Sequence, residues 1–338
     1  LNILITGGAG GIGSTLALLL TKNGHKVVAY DNLNNGYLDN LKENGVFFCH
    51  FEHGDIRDTD YLQHIIEKEK IEKVIHLAAI TALPVAESDP YECLSVNVAG
   101  TASVLKAAKY VNAQVIVAST SAIYENNDRA DAPFTESIEV KPRLMYPLSK
   151  KLMEEVVHAF DKNYGIDYTI LRFFNVFGPR QDIHRKSPPL INYIVREVKN
   201  GRDPVFYSDG SQQRDYVHVD DVVTMIEKCI THPKALGRTF NLCTGTLTSV
   251  KDIINFAEQA FNKEIKHSFL PAKEFWSEYN ELHAGEKPIK KTVLEHEVNK
   301  FALGSNDLAK QIIGWEPNKN ISELMVDTMR KNYELYSK

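Results

Sequence analysis

Asn2-Ile3-Leu4-Ile5-Thr6-Gly7-Gly8-Ala9-Gly10-Gly11-Ile12-Gly13 decides the fold of this chain. Asn2 to Ile5 reads as a short buried strand, the glycines as a tight turn, and Ser14-Thr15-Leu16-Ala17-Leu18-Leu19-Leu20 as the helix that follows. The run satisfies Gly-x-Gly-x-x-Gly through Gly8, Gly10 and Gly13, and Gly-x-x-Gly-x-x-Gly through Gly7, Gly10 and Gly13. A second strand, Lys26-Val27-Val28-Ala29-Tyr30, ends on Asp31. Glycines let the backbone approach a pyrophosphate with no Cβ in the way, and the helix start offers free N–H groups. An acid after the second strand accepts hydrogen bonds from adenosine ribose hydroxyls. A loose surface turn does not account for glycines set between two apolar elements, so the stretch is read as a dinucleotide cradle. Asp31 selects the cofactor. A 2′-phosphate beside it would put like charges together and no arginine precedes Arg57, so NAD is favoured over NADP.

The bulk numbers agree. With 338 residues, 43% hydrophobic and 25% charged, the chain suits one Rossmann domain with a smaller attached lobe. A net charge of −5 without a basic cluster argues against nucleic-acid binding. No apolar run reaches the length of a membrane span, and the N-terminus reads as a core strand rather than a signal peptide. Cys49, Cys93, Cys229 and Cys243 lack Cys-x-x-Cys spacing and read as free thiols in a reducing cytoplasm. Cys49-His50-Phe51-Glu52-His53 straddles a strand end with no second ligand pair nearby, so it is read as structural and no metal is expected.

Strands and helices alternate. Val46 to Cys49 is a third expected strand, then a helix near Asp60 to Lys70, a strand Lys73 to Leu77 and a long helix around Tyr91 to Val111. Strand Gln114 to Ala118, a helix from about Pro147 to Tyr164 and strand Tyr168 to Arg172 follow. The repetition predicts a doubly wound α/β fold with an open parallel sheet. Residues 1–176, completed by about 217–245, are expected to hold the cofactor, and 177–216 with 246–338 to form a substrate lobe over the carboxyl ends of the strands. Helices are expected near 190–200, 221–231, 249–262, Leu308 to Ile313 and Ile321 to Tyr336, whereas 272–300 is charged and weakly periodic.

Val117-Ala118-Ser119-Thr120-Ser121 puts hydroxyls just past a strand end, and Tyr146-Pro147-Leu148-Ser149-Lys150 sets a phenol and an ammonium on one helical face. A phenol titrates near 10 and is a poor base at neutral pH. A nearby lysine and an oxidised nicotinamide both favour the phenolate, which then accepts an alcohol proton. Thr120 is placed to hydrogen-bond the same alcohol and relay its proton. Tyr-x-x-x-Lys alone is a common accident; behind a dinucleotide cradle and a strand-end hydroxyl it is a signal.

These motifs resemble the extended short-chain dehydrogenase/reductase family, and within it the nucleotide-sugar epimerases. The resemblance covers residues 1 to about 265 and returns at Leu308 to Pro317. Further marks are Gly54-Asp55-Ile56, His76-Leu77-Ala78-Ala79, Asn97 to Thr101, Leu171 to Arg180 and Arg214 to Asp221. The resemblance implies that Asp55 and Ile56 cradle adenine and that Leu77, Ala78 and Ala79 line the nicotinamide. Thr120, Tyr146 and Lys150 would be catalytic, with Lys150 also holding the nicotinamide ribose. Asn175 and Arg214 would meet a nucleotide diphosphate, for which the planar arginine fork is suited. The whole expected cofactor set is Gly7, Gly10, Gly11, Ile12, Gly13, Asp31, Asn32, Asp55, Ile56, Leu77, Ala78, Ala79, Asn97, Tyr146 and Lys150. The expected substrate set is Thr81, Thr120, Asn175, Arg180 and Arg214. Asp215 is read as a local ion-pair partner, Asp220 and Asp221 as a helix cap, and His218 as packing at its strand end.

Two departures stand out. The family carries a second phosphate-binding arginine near its last motif, but Lys291 to Val298 contains none and has Glu295 and Glu297 instead; Lys290 or Lys291 is the expected substitute. Related dehydratases place Asp-Glu directly after the catalytic threonine, and this chain has Ser121-Ala122. Neither is a useful acid or base, so elimination lacks its chemistry. The expected activity is an NAD-dependent nucleotide-sugar epimerase, at the 4-position by preference, with a net dehydrogenase as the alternative and a 4,6-dehydratase behind it. A homodimer paired through the helices near 91–111 and 147–164 is expected, using Leu94, Val98, Leu105, Leu152, Val156 and Phe160.

Overall fold

Strands that are apolar along their length must be covered on both faces. Ile3, Leu4, Ile5, Val28, Ala29 and Tyr30 are all fully buried. In the computed structural model, which describes residues 1–124 and 132–335, seven strands form one parallel sheet. They are β1 (Asn2–Thr6), β2 (Lys26–Asp31), β3 (His50–His53), β4 (Lys73–His76), β5 (Gln114–Thr120), β6 (Tyr168–Phe173) and β7 (Arg238–Leu242). Their order is β3-β2-β1-β4-β5-β6-β7. The order in which strands are added reverses between β1 and β4, which opens a crevice at their carboxyl ends.

One face is covered by α1 (Gly11–Lys22) and by the helix Val219–Thr231, through Leu16, Leu20, Val222 and Ile226. The helices Thr59–Lys68, Gly100–Tyr110 and Met145–Tyr164 cover the other, through Leu62, Ile66, Val104, Met153 and Val157. Each such side chain contributes about 1.5–3 kcal/mol by leaving water, so the sheet is a stiff platform for the loops at its rim. A third cluster, with Ile194, Phe206, Ile253 and Met325 at its centre, joins the helices Leu190–Lys199, Val250–Phe261 and Ile321–Leu335. The expected last residue of that final helix, Tyr336, lies outside the described residues. A short strand Asn175–Phe177 pairs parallel with Gln213–His218, which brings Asn175 level with Tyr216 and close to Arg214.

Three local readings are corrected. Val46–Phe47 pairs with Lys42–Glu43 as a hairpin, and the third sheet strand begins at His50. Asn44 and Gly45 both have positive φ, 52° and 80°, which is the two-residue turn that an Asn-Gly pair favours. The long helix near 91–111 is interrupted by a wide π turn at Ser95–Ala99. The cap of Val219–Thr231 is His218, whose Nδ1 accepts from Asp220 N at 3.2 Å, and not an aspartate. At the β3 edge, Glu52 and Glu69 lie within reach of His50 but are paired with Lys68 and Lys26.

Candidate active site

Gly7 sits at φ +69°, and a Cβ there would meet Ala78 N at 2.8 Å. A Cβ on Gly13 would lie 2.2 Å from Gly7 O. Glycine is therefore required at both. The first turn of α1 has no acidic residue and no side-chain cap, which leaves the N–H groups of Gly11, Ile12 and Gly13 to an anion. Beyond β2, Asp31 is held by Ala9 N at 3.0 Å and Leu33 N at 2.8 Å. These bonds aim its carboxylate along the rim, while burial raises its pKa against their pull. Asn32 stands beside Asp55, with Nδ2 3.5 Å from Oδ2. Leu77 and Ala78 are fixed to β1 through Thr6, at 3.1 and 3.3 Å. This cradle fits a dinucleotide: open N–H groups face the diphosphate position, and an oriented acid stands one strand away.

Several of the expected contact residues also have partners within the protein. Arg57 grips the Asp55 carboxylate with Nε at 2.9 Å and Nη2 at 2.7 Å and holds its pKa low. Ile56 is packed against Gly100. Asn97, turned inward by the π turn, spends its amide on Ile80 O, Ile80 N and Ser149 Oγ at 2.8 to 2.9 Å. These bonds shape the loop that carries Ala79 and Thr81. Arg180 lies over the Phe48 ring, 5.9 Å from its centroid, on the glycine-turn side and away from the substrate pocket.

That pocket is a cavity of about 210 Å³ beyond β5 and β6. Thr120, Ser121, Ala122 and Tyr146 form one wall, Thr81 and Asn175 stand at its sides, and Arg214, Glu297 and Lys300 close the far end. Thr120 ends β5 beside the Tyr146 phenol. Burial pushes that phenol up to about 12, against the opposing pull of the Thr120 hydroxyl and the nearby charge of Arg185. Lys150, one helical turn on, donates to Ala118 O at 2.8 Å. Burial pulls it down to about 8, opposed by Cys93 and Glu154. The geometry thus brings phenol, hydroxyl and ammonium to one strand end.

Several supports of the site come from residues outside the sequence motifs. Glu154 accepts from Ser119 Oγ at 2.5 Å and from Arg172 at 2.8 and 3.0 Å, locking the catalytic helix to β5 and β6. Its signal was present, because Glu154 follows Lys150 by one further turn on the same face. Glu87 accepts the Met145 N–H beside Tyr146. Asp215 makes no ion pair with Arg214; it accepts from Thr244, Gly245 and Gly304 backbone N–H groups and the Thr244 hydroxyl, and burial raises it to about 6. Arg214 donates to the carbonyls of Gln213, Glu297, Val298 and Lys300. The cation beside it in the pocket is Lys300; Lys290 and Lys291 are exposed and do not line the cavity.

Known proteins are similar to this chain in sequence and fold. A sequence-family profile described as "NAD dependent epimerase/dehydratase family" matches residues 3–243. A UDP-glucose 4-epimerase from Halalkalibacterium halodurans is 30% identical over 96% of this chain and 93% of its own length. The crystal structure of a UDP-glucose 4-epimerase with UDP-glucose from Thermotoga maritima superposes with a TM-score of 0.86 and 26% identity, covering 99% of this chain and 100% of that one. A UDP-N-acetylglucosamine 4-epimerase from Methanobrevibacter ruminantium, in complex with UDP-N-acetylmuramic acid, gives 0.83 and 26% over 99% and 98%. Fold, cradle and sequence together make this chain a member of the NAD dependent epimerase/dehydratase family.

Proposed function

We propose that the chain is an NAD-dependent UDP-sugar 4-epimerase. NAD bound in the cradle supplies a reversible acceptor for the hydride of the C4–H bond. Tyr146, as phenolate, takes the C4 hydroxyl proton, leaving a ketone on the sugar. Lys150 lowers the phenol toward deprotonation by its charge, and Thr120 orients the hydroxyl and passes its proton to the phenol. Tyr146 would then hand the proton back to the C4 oxygen as bound NAD returned the hydride, so that the residues end as they began and the sugar leaves as its C4 epimer.

The observation that carries this reading is the pocket wall after Thr120. Ser121 and Ala122 both line it, and elimination needs an acid and a base there. Among the described residues lining the cavity, Glu297 is the one acid, and it is paired with Lys300. Among the described residues, then, the pocket offers the intermediate ketone no acid and base pair for elimination, which favours hydride return. Incubation with a panel of UDP-sugars, following sugar stereochemistry, product mass and nicotinamide absorbance, tests this. An epimer of unchanged mass supports it; loss of water, or stoichiometric reduced nicotinamide, contradicts it.

In the same reading, residues 1–176 with 217–245 hold NAD, Asp31 favours it over NADP, and 177–216 with 246–335 hold the nucleotide sugar. Asn175 is assigned to the substrate, its amide already aligned by a 3.0 Å bond to Asp215 O. A homodimer through Pro90–Tyr110 and Met145–Tyr164 is supported by Tyr91 and Leu152, which are 81% and 39% exposed, whereas Leu105 is fully buried and belongs to the core. The unpaired cysteines suit a reducing, cytoplasmic setting.

A further inference from the structure

The pocket end expected to hold a diphosphate is already occupied by the protein's own charges. Arg214 Nη1 donates to Gln213 O and Lys300 O, and Nη2 to Glu297 O and Val298 O. Two of those carbonyls close the helix Lys291–Asn299. A guanidinium has five N–H donors, and Arg214 spends its terminal nitrogens on this helix end. It anchors the wall that presents Glu297 and Lys300. Lys300 Nζ in turn lies 2.5 Å and 2.6 Å from the two Glu297 carboxylate oxygens, with side-chain exposures of 14% and 8%.

We propose that Glu297 is a built-in competitor for the substrate diphosphate, holding Lys300 in an ion pair that an incoming diphosphate must take over. This rests on the UDP-sugar reading above. Lys300 then does the work of the absent second arginine. Charges this sheltered from water attract and repel strongly. A ligand phosphate gains Lys300 only by displacing Glu297, and it then sits beside that carboxylate. A ligand bearing two phosphates outbids the carboxylate; one bearing a single phosphate does so poorly. The pair thus selects nucleoside diphosphates and limits how tightly they are held after turnover.

Titration of the NAD-loaded protein with UDP and with UMP, by calorimetry, tests this. Glu297→Gln tightens UDP by about tenfold, the effect of one charge-assisted hydrogen bond, and narrows the preference for UDP over UMP. Lys300→Met weakens UDP by a similar factor, and in the double variant the benefit of Gln at 297 disappears. Lys300→Arg retains binding, and thermal melting of each variant separates lost binding from lost folding. Unchanged or weaker UDP binding in a folded Glu297→Gln protein overturns the inference, since Glu297 would then be idle or a hydrogen-bond acceptor for the ligand. Wild-type protein that binds neither nucleotide overturns the UDP-sugar reading itself, and the inference with it.

Discussion

The Tyr37 hydroxyl donates to the Asp182 carboxylate at 2.9 Å. This bond ties the loop behind Asp31 to the segment that follows Arg180. Tyr37 N is itself bonded to Ala9 O at 3.1 Å, and a Cβ on Gly11 would lie 2.9 Å from Arg180 O. The segment therefore crosses the start of α1, where the cofactor diphosphate belongs. An enzyme that returns its hydride within one turnover benefits from a cofactor that stays in place. Tyr37→Phe and Asp182→Asn are expected to release bound NAD several-fold faster, measured as exchange against labelled NAD after desalting. Wild-type exchange rates in both variants would refute this role for the Tyr37–Asp182 bond.

Tyr146→Phe removes the proton acceptor and nothing else from the pocket wall. Turnover is expected to fall by about 10²–10⁴-fold, with melting temperature and NAD content unchanged. A folded variant that turns over at the wild-type rate would eliminate Tyr146 as the base.

Lys150 makes a pH-dependent contribution to stability. Its pKa in the NAD-free fold is about 8, below its ordinary 10.5, because burial disfavours the charge. Between those values the unfolded chain binds more protons than the folded one, so stability rises with pH across that window. Below about pH 8 the full cost of burying the ammonium is present. NAD-free Lys150→Met is therefore expected to melt higher than wild type at pH 7, with the gap closing between about pH 8 and 10.5. A variant that melts lower at pH 7, or a gap that ignores pH, would rule this out.

How much of this was legible beforehand follows from the range of the forces involved. The glycine cradle, Asp31, Thr120 and the Tyr146–Lys150 pair depend on local spacing, and the chain spells them out. Val46 and Phe47 look like sheet residues and draw the third strand too early, although the Asn44-Gly45 pair between Glu43 and Val46 marks a hairpin. His218 as a cap, and Asp215 as an acceptor for loop N–H groups, depend on the loops that arrive from residues 220, 244 and 304. Residues 272–300 showed no period because they form short helical pieces, and only tertiary contact with Arg214 sets where Glu297 and Lys300 stand.

The central claim is that hydride leaves and returns at one sugar carbon without net redox. A UDP-sugar that the panel shows to be turned over, carrying deuterium at C4 and incubated with the purified enzyme and no added reductant, tests it most directly. The expected product is the C4 epimer of unchanged mass, with the deuterium still at C4 and no build-up of reduced nicotinamide. Deuterium lost from C4, or a product lighter by one water, would contradict it.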